Sequence, residues 1–256
     1  MKTLRVAFVT EIMKLRRSKI LWITIVFFAF IPIMMGLLML VSQNPEIAEK
    51  LGIVGTKAML FSENNWKGYL EMINQLIAVI GIIGFGFVTS WVFGREYVEK
   101  TVIDFITLPT SRATIISAKF LVVFAWSLLL TIVLFGTSII IGKIINIPEW
   151  SAEIFNAFVH EFTIVSLLTI ILSTPTAFVA SYGRGIIAPL GFVILLVIMA
   201  QFVAVVGWGA YFPWAIPGYS TIPDVILKPV SYIIVLTMSL ICYLGTIAWW
   251  RKADQQ

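Results

Sequence analysis

Six stretches of this chain are each long and apolar enough to cross a lipid bilayer, and they limit its fold more than any other feature. They run from Ile20 to Val41, Tyr69 to Phe93, Phe120 to Gly142, Ile154 to Ala180, Ile186 to Val206 and Val230 to Trp250. Hydrocarbon about 30 Å thick takes roughly 20 helical residues at about 1.5 Å each. Backbone groups in lipid find no water, so each span has to pair its own N–H and C=O groups as a helix. The expected fold is therefore an all-α membrane protein with six transmembrane helices. Composition agrees, since 60% of the 256 residues are hydrophobic and 12% charged, more apolar material than one globular core can bury. The run from Ile20 outlasts the core of a secretory signal and has no small-x-small cleavage site after it, so it is expected to be a retained first span.

Orientation follows from the basic residues. Six spans put one side in possession of Lys2, Arg5, Lys14, Arg16, Arg17 and Lys19, of Arg95, Lys100, Arg112 and Lys119, of Arg184, and of Arg251 and Lys252. Those thirteen face five on the other side, namely Lys50, Lys57, Lys67, Lys143 and Lys228. The positive-inside rule then makes the first side cytoplasmic, with both termini on it. The net charge of +5 is explained by those loops and needs no nucleic-acid partner. Cys242, the single cysteine, lies in an apolar run, which excludes an intramolecular disulfide.

Residues 1–19 read as an amphipathic helix along the membrane face. Leu4, Phe8, Ile12 and Leu15 share one side, while the basic cluster from Lys14 to Lys19, with Arg16 and Arg17, can snorkel to anionic headgroups. The cytoplasmic segment 94–119 carries the strongest signal. At 100° per residue, Val98, Val102, Phe105 and Ile106 fall on one arc, with Lys100, Asp104 and Thr107 opposite, which predicts a short amphipathic helix from Tyr97 to Leu108. Pro109 ends it, and Thr110 or Ser111 can cap the helix that follows. An apolar face rimmed by Glu96, Glu99, Lys100, Asp104 and Arg112 can lie on headgroups or enter a partner's groove. Its excess of acid over base favours the partner.

On the external side, Gly207–Ser220 reads G-W-G-A-Y-F-P-W-A-I-P-G-Y-S, too apolar for a solvated loop and too broken for a seventh span. A re-entrant or interfacial element within 207–229, with Trp208 and Trp214 at headgroup level, fits both facts. His160 and Glu161 lie near the start of the fourth span, either as functional groups in the membrane or as an interfacial pair. Glu71, Asn74 and Gln75 share that ambiguity, and Gln201 is deeper. Thr174-Pro175-Thr176 should kink the fourth span. The sequence holds no G-x-x-x-x-G-K-[ST] phosphate loop, no His or Cys cluster with metal spacing and no G-x-S-x-G nucleophile setting. No catalytic residue, cofactor or metal is expected in this chain, and an ATP-driven process would need a second polypeptide.

The stretch F-G-R-E-Y-V-E-K-T-V-I-D-F-I-T-L-P-T-S-R-A-T-I-I-S-A-K-F, from Phe93 to Phe120, resembles the loop after the second span of ATP-binding-cassette type-2 (ABC-2) permease subunits. Glu96, Thr101, Pro109, Ser111, Arg112 and Lys119 match that pattern in order, while Lys100 stands where glycine is common. The opening E-I-M-K-L-R-R-S-K-I-L-W, from Glu11 to Trp22, is similar to N-termini in the branch linked to bacitracin and lantibiotic immunity. The resemblance implies a single permease domain over 1–256 and a coupling helix that docks on a separate ATPase, which binds the ATP and Mg. Glu96, Thr101, Asp104, Phe105, Pro109 and Arg112 are the expected coupling residues. It also implies a membrane brace carrying Phe8, Glu11, Arg16 and Arg17, and short external helices capping the exit. Glu71, Gln75, His160, Glu161, Gln201, Trp208 and Trp214 are the candidate gate or path. Expected partners are the ATPase, an identical or different second permease, and lipid. The expected place is a bacterial or archaeal plasma membrane, and the expected cargo is an amphipathic or antimicrobial peptide or another hydrophobic compound. The alternative is a secondary transporter or channel built on His160 and Glu161.

Overall fold

A computed structural model of the chain describes residues 2–43, 63–101, 111–222 and 225–252. Among the described residues there is no strand, and the helices follow in order as α1 (Lys2–Arg16), α2 (Lys19–Gln43), α3 (Trp66–Val98), α4 (Arg112–Ile144), α5 (Ala152–Ile171), α6 (Thr174–Tyr182), α7 (Ile187–Val205), α8 (Ile216–Tyr219) and α9 (Pro229–Lys252). Six are long and apolar enough to cross a membrane once α5 and α6 are taken as one span, so the chain is a multi-pass membrane protein. At one end of the bundle, here called basal, the last turn of α3 meets the last turn of α9, where the Tyr97 and Trp250 rings lie tilted with centroids 5.7 Å apart. The opposite end is called apical.

Helix α3 is the central post. It packs against α5, α7, α4 and α6, and buries aromatic, aliphatic and small residues through most of its length. Helices α7 and α9 lie outside it and turn large apolar side chains outward, among them Leu195, Phe202, Leu236 and Ile241. An apolar surface of that extent needs lipid or another apolar subunit against it.

Helix ends are where the spans depart from their apolar limits. Helices α3 and α4 are 33 residues each, about 50 Å at 1.5 Å per residue, and so overrun the hydrocarbon. Hydropathy marks where lipid stops, whereas a helix continues until a cap stops it. Ser111 supplies the cap of α4, accepting from Thr114 N–H at 3.2 Å. Between α1 and α2, Ser18 Oγ accepts from Ile20 N–H at 3.1 Å, which satisfies a donor at the start of α2 and lets α1 stand as a separate element packed on α4. The expected break at Thr174-Pro175-Thr176 is present. Helix α5 stops at Ile171, the Ser173 N–H turns back to Ile170 O at 3.1 Å, and α6 restarts with Pro175 in its first turn.

The amphipathic helix expected from Tyr97 to Leu108 does not begin at Tyr97. Tyr97 and Val98 are the last turn of α3, which closes with Thr101 N–H on Glu96 O at 3.0 Å and Lys100 N–H on Tyr97 O at 3.3 Å. That double return is a Schellman cap, and it sets Lys100 at φ 57°, in the left-handed region. Residues 102–110 lie outside the described residues, and with them Asp104, Phe105 and Pro109.

The conformation at Lys100 gives a physical reason for glycine at that place in the resembling permeases. A left-handed residue with a Cβ costs about 1–2 kcal/mol, of which glycine's larger unfolded entropy returns about 0.5–1. Lys100→Gly is therefore expected to stabilise the protein by roughly 0.5–1 kcal/mol, seen as a rise in Tm of about 1–4 °C. An unchanged or lowered Tm would show that this cap does not limit stability.

Candidate functional site

Three elements distant in sequence bring four charged groups together at the basal end. Helix α1 contributes Glu11 and, one turn on, Lys14. Helix α3 contributes Glu96 in its last turn, and α4 contributes Lys119 about two turns from its start. Glu96 is 1% exposed, Lys119 is fully buried and Glu11 is 7% exposed, so water does not screen them. Lys119 Nζ donates to Glu96 Oε1 at 2.6 Å, to Val92 O at 3.0 Å and to Glu11 Oε2 at 3.3 Å. Those bonds use its three donors. Lys14 Nζ, nearer the surface, donates to Glu11 Oε1 at 2.7 Å and to Glu96 Oε1 at 3.3 Å.

Two carboxylates and two ammonium groups make the network neutral, which is the condition for burying charge at tolerable cost. Burial pushes the Glu11 carboxyl up, but the ammonium groups of Lys119 and Lys14 outweigh it and hold the group below its ordinary range. Glu11 is thus a carboxylate at neutral pH, and the network is held together by charge. Its position matters because Glu96 also supplies, through its backbone oxygen, the Schellman cap that ends α3.

An aromatic and polar belt fastens the remaining helices to this point. Arg112 Nη1 donates to Trp250 O at 3.0 Å, and Trp250 Nε1 donates to Ser181 Oγ at 2.9 Å. Phe93 packs on Phe120 and Phe120 on Tyr243, with ring centroids 4.8 Å and 5.0 Å apart. The basal ends of α3, α4, α6 and α9 are therefore linked by these side chains. Of the expected coupling residues, Glu96, Thr101 and Arg112 lie in or beside this assembly. Of the expected brace residues, Glu11 joins it, Phe8 packs against the same core, and Arg16 and Arg17 remain exposed. Ser181, Tyr243 and Trp250 were not singled out by the sequence, and Lys14, expected to snorkel to headgroups with the basic cluster, instead turns inward to Glu11 and Glu96. Lys14 differs from its basic neighbours only in lying one helical turn from Glu11.

The candidate path residues divide between two apical clefts. Gln75, Gln201 and Trp214 line one of about 260 Å³, between α3, α7 and the segment leading through α8. Glu71 and Glu161 line another of about 260 Å³ between α3 and α5, where Asn74 Nδ2 donates to Glu161 Oε2 at 3.0 Å. Trp208 joins neither, being 67% exposed. His160 also lines neither cleft, because consecutive residues on a helix do not face the same way. Among the described residues, no three His, Cys, Asp or Glu side chains are grouped to hold a metal ion.

Comparison with known proteins adds to this geometry. Residues 7–201 match the model of a family described as ABC-2 family transporter protein. The chain is also 25% identical over 183 residues to the bacitracin transport permease protein BCRB of Bacillus licheniformis, covering 70% of this chain and 88% of that one. The residues matched by the family model run from within α1 to within α7, and include Glu11, Glu96 and Lys119.

Proposed function

This chain belongs to the ABC-2 family of transporter proteins, and from that premise we propose that it couples ATP hydrolysis in a separate subunit to export of an amphipathic or antimicrobial peptide. As a family member it is a membrane-spanning permease subunit of an ABC exporter, and the family's ATPase activity lies in another chain. The proposal adds the route by which the push travels. Two permeases, identical or different, sit above two ATPases that hold ATP and Mg, with the basal end in the cytoplasm. ATPase closure presses the segment that contains Asp104, Phe105 and Pro109. Thr101 and Arg112 flank that segment and carry its displacement into α3 and α4.

One observation carries this reading. The Glu11, Lys14, Glu96 and Lys119 network ties the N-terminal helix to both helices that enter the segment. A push on that segment therefore moves α1, α3 and α4 as one body instead of bending one helix end. Small displacements become a gate only where packed elements have two discrete arrangements, and the spans around α3 supply the packing. In this reading α1 braces the unit at the inner membrane face, and the segment around Trp214 closes the outer exit. The expected peptide cargo rests on likeness to the bacitracin permease. The secondary-transporter alternative loses support, because His160 and Glu161 do not line a common cleft.

The test is affinity purification in mild detergent of the wild type and of Phe105→Asp, with identification of co-purifying chains and an ATPase assay. Wild type is expected to bring down a stoichiometric ATPase, and Phe105→Asp to lose at least nine-tenths of it, about 1.4 kcal/mol or more of binding. Absence of any ATPase partner with the wild type would overturn the coupling reading.

A further inference from the structure

A cleft of about 500 Å³ opens between α4, the α5–α6 break and α9, and coupling to an ATPase makes no use of it. Leu121, Phe124, Leu236 and Leu240 line it and are 43% to 57% exposed on helices that span the membrane. Its occupant therefore comes from the bilayer. Apolar wall alone does not say what that occupant is, and the hydroxyl groups along the cleft do.

Five hydroxyl residues line it, namely Ser117, Ser173, Thr174, Ser239 and Tyr243. Three of them are spent on carbonyls at the break. Ser173 Oγ donates to Ile170 O at 2.7 Å, while Thr174 Oγ1 and Ser239 Oγ donate to Ile171 O at 2.7 Å and 3.0 Å. Ser117 Oγ and Tyr243 OH instead bond each other at 2.8 Å, and both side chains are half-buried. Whichever of them donates, one bond uses one of their two protons. Thr131 in the same helix and Thr246 in α9 donate to the carbonyl four residues back, at 2.9 Å and 2.7 Å. Among the described residues Ser117 and Tyr243 have only each other. The second proton needs an acceptor, and next to hydrocarbon water does not supply one.

Depth and charge narrow the acceptor. Arg112 opens α4, and a basic side chain at a span end reaches the headgroups. Ser117 lies five residues further on, about 8 Å along the helix, against a headgroup region about 5–8 Å deep on each side of the hydrocarbon. The hydroxyl pair is thus at the level where acyl ester carbonyls meet the hydrocarbon. Among the described residues no charged side chain lines the cleft, so the acceptor is neutral and not a carboxylate. We infer that this cleft holds an acyl chain of an ester-linked membrane lipid. Its ester carbonyl accepts the unspent proton of the Ser117–Tyr243 pair, and its chain runs between α4 and α9 toward the α5–α6 break, where the polar groups are already paired. The inference rests on the membrane-spanning fold and not on the exporter reading.

The test places the full chain in nanodiscs of equal parts diester and diether phosphatidylcholine with matching chains, transfers it to detergent, and weighs the washed protein by native mass spectrometry. The two lipids differ in mass, so both are counted on one protein, and the diether form lacks the carbonyl. Wild type is expected to retain the diester lipid about fivefold over the diether, as one hydrogen bond implies. Ser117→Ala combined with Tyr243→Phe removes both hydroxyls and is expected to bring that ratio to about one. Leu240→Trp, at a position 57% exposed on the cleft wall, puts bulk into the cleft and is expected to lower the retained diester lipid by about fivefold or more. Because that position is exposed, it keeps the site testable should the double variant fail to fold. Equal retention of the two lipids by wild type would overturn the inference, as would retention of neither, the result expected if a second copy covered the cleft. A wild-type ratio in the folded double variant, or unchanged retention by Leu240→Trp, would place the lipid elsewhere and overturn it too.

Discussion

Lys119→Met is expected to destabilise the protein by about 3–5 kcal/mol, because it removes one partner of a buried ion network and leaves the others uncompensated. Glu96 is 1% exposed and Glu11 is 7% exposed, so neither carboxylate can recover hydration without moving helices. Lys14 still reaches both, but from a side chain that is 26% exposed, which places the cost toward the lower end. The measurement is equilibrium or thermal unfolding of the purified protein in nanodiscs, together with the amount that survives purification. Lys119→Met combined with Glu96→Gln is expected to recover more than half of the loss, since the second change removes the stranded charge. Lys119→Arg is expected to fall short of wild type as well. A planar guanidinium does not meet three acceptors arranged around an ammonium, here at 2.6, 3.0 and 3.3 Å. A loss under about 1 kcal/mol for Lys119→Met would mean that water enters the network and that charge does not hold it together.

Much of the fold is legible in the chain because lipid imposes a simple demand. Unbroken apolar runs mark the spans, a proline marks the break between α5 and α6, and the pair Thr110-Ser111 before a basic helix start marks a cap, which the structure puts on Ser111. The overrun of α3 to Val98 is less legible. Its end depends on a left-handed turn at Lys100, and lysine gives no hint of that conformation. The ion network was visible only as parts. Glu11, Glu96 and Lys119 each stand out as charges near membrane edges, but Lys119 and Glu11 are 108 residues apart, and pairing across that distance is set by packing. Sequence adjacency also misled once. His160 and Glu161 read as a pair, whereas helical geometry turns them apart and gives Glu161 the partner Asn74, 87 residues away. Within the aromatic external segment, composition ranks Trp208 and Trp214 alike, and only packing separates Trp214, 6% exposed, from Trp208 at 67%.

Gly94→Ala is the change expected to separate tight basal packing from mere helix preference. A Cβ at Gly94 would lie 2.5 Å from the carbonyl oxygen of Gly185 and 2.7 Å from its carbon. Both are backbone atoms in the turn between α6 and α7, so no side chain can rotate out of the way. Helix α3 and that turn would have to part, and Glu96, two residues on, would be drawn against its bonds to Lys119 and Lys14. Overpacking of this kind costs about 1–3 kcal/mol, and the strained network argues for the upper half of that range. Gly136 in α4 is the contrast, since a Cβ there meets nothing within 4 Å. Helix preference alone then decides, and Gly136→Ala is expected to gain about 0.5–1 kcal/mol. Unfolding of the two variants under one condition should therefore differ by roughly 3 kcal/mol with opposite signs. If Gly94→Ala instead matches Gly136→Ala, the approach of α3 to the α6–α7 turn yields freely. A contact that yields freely cannot pass a push from α3 on to the α6–α7 turn, so the displacement proposed for α1, α3 and α4 would have to reach the outer spans through other contacts.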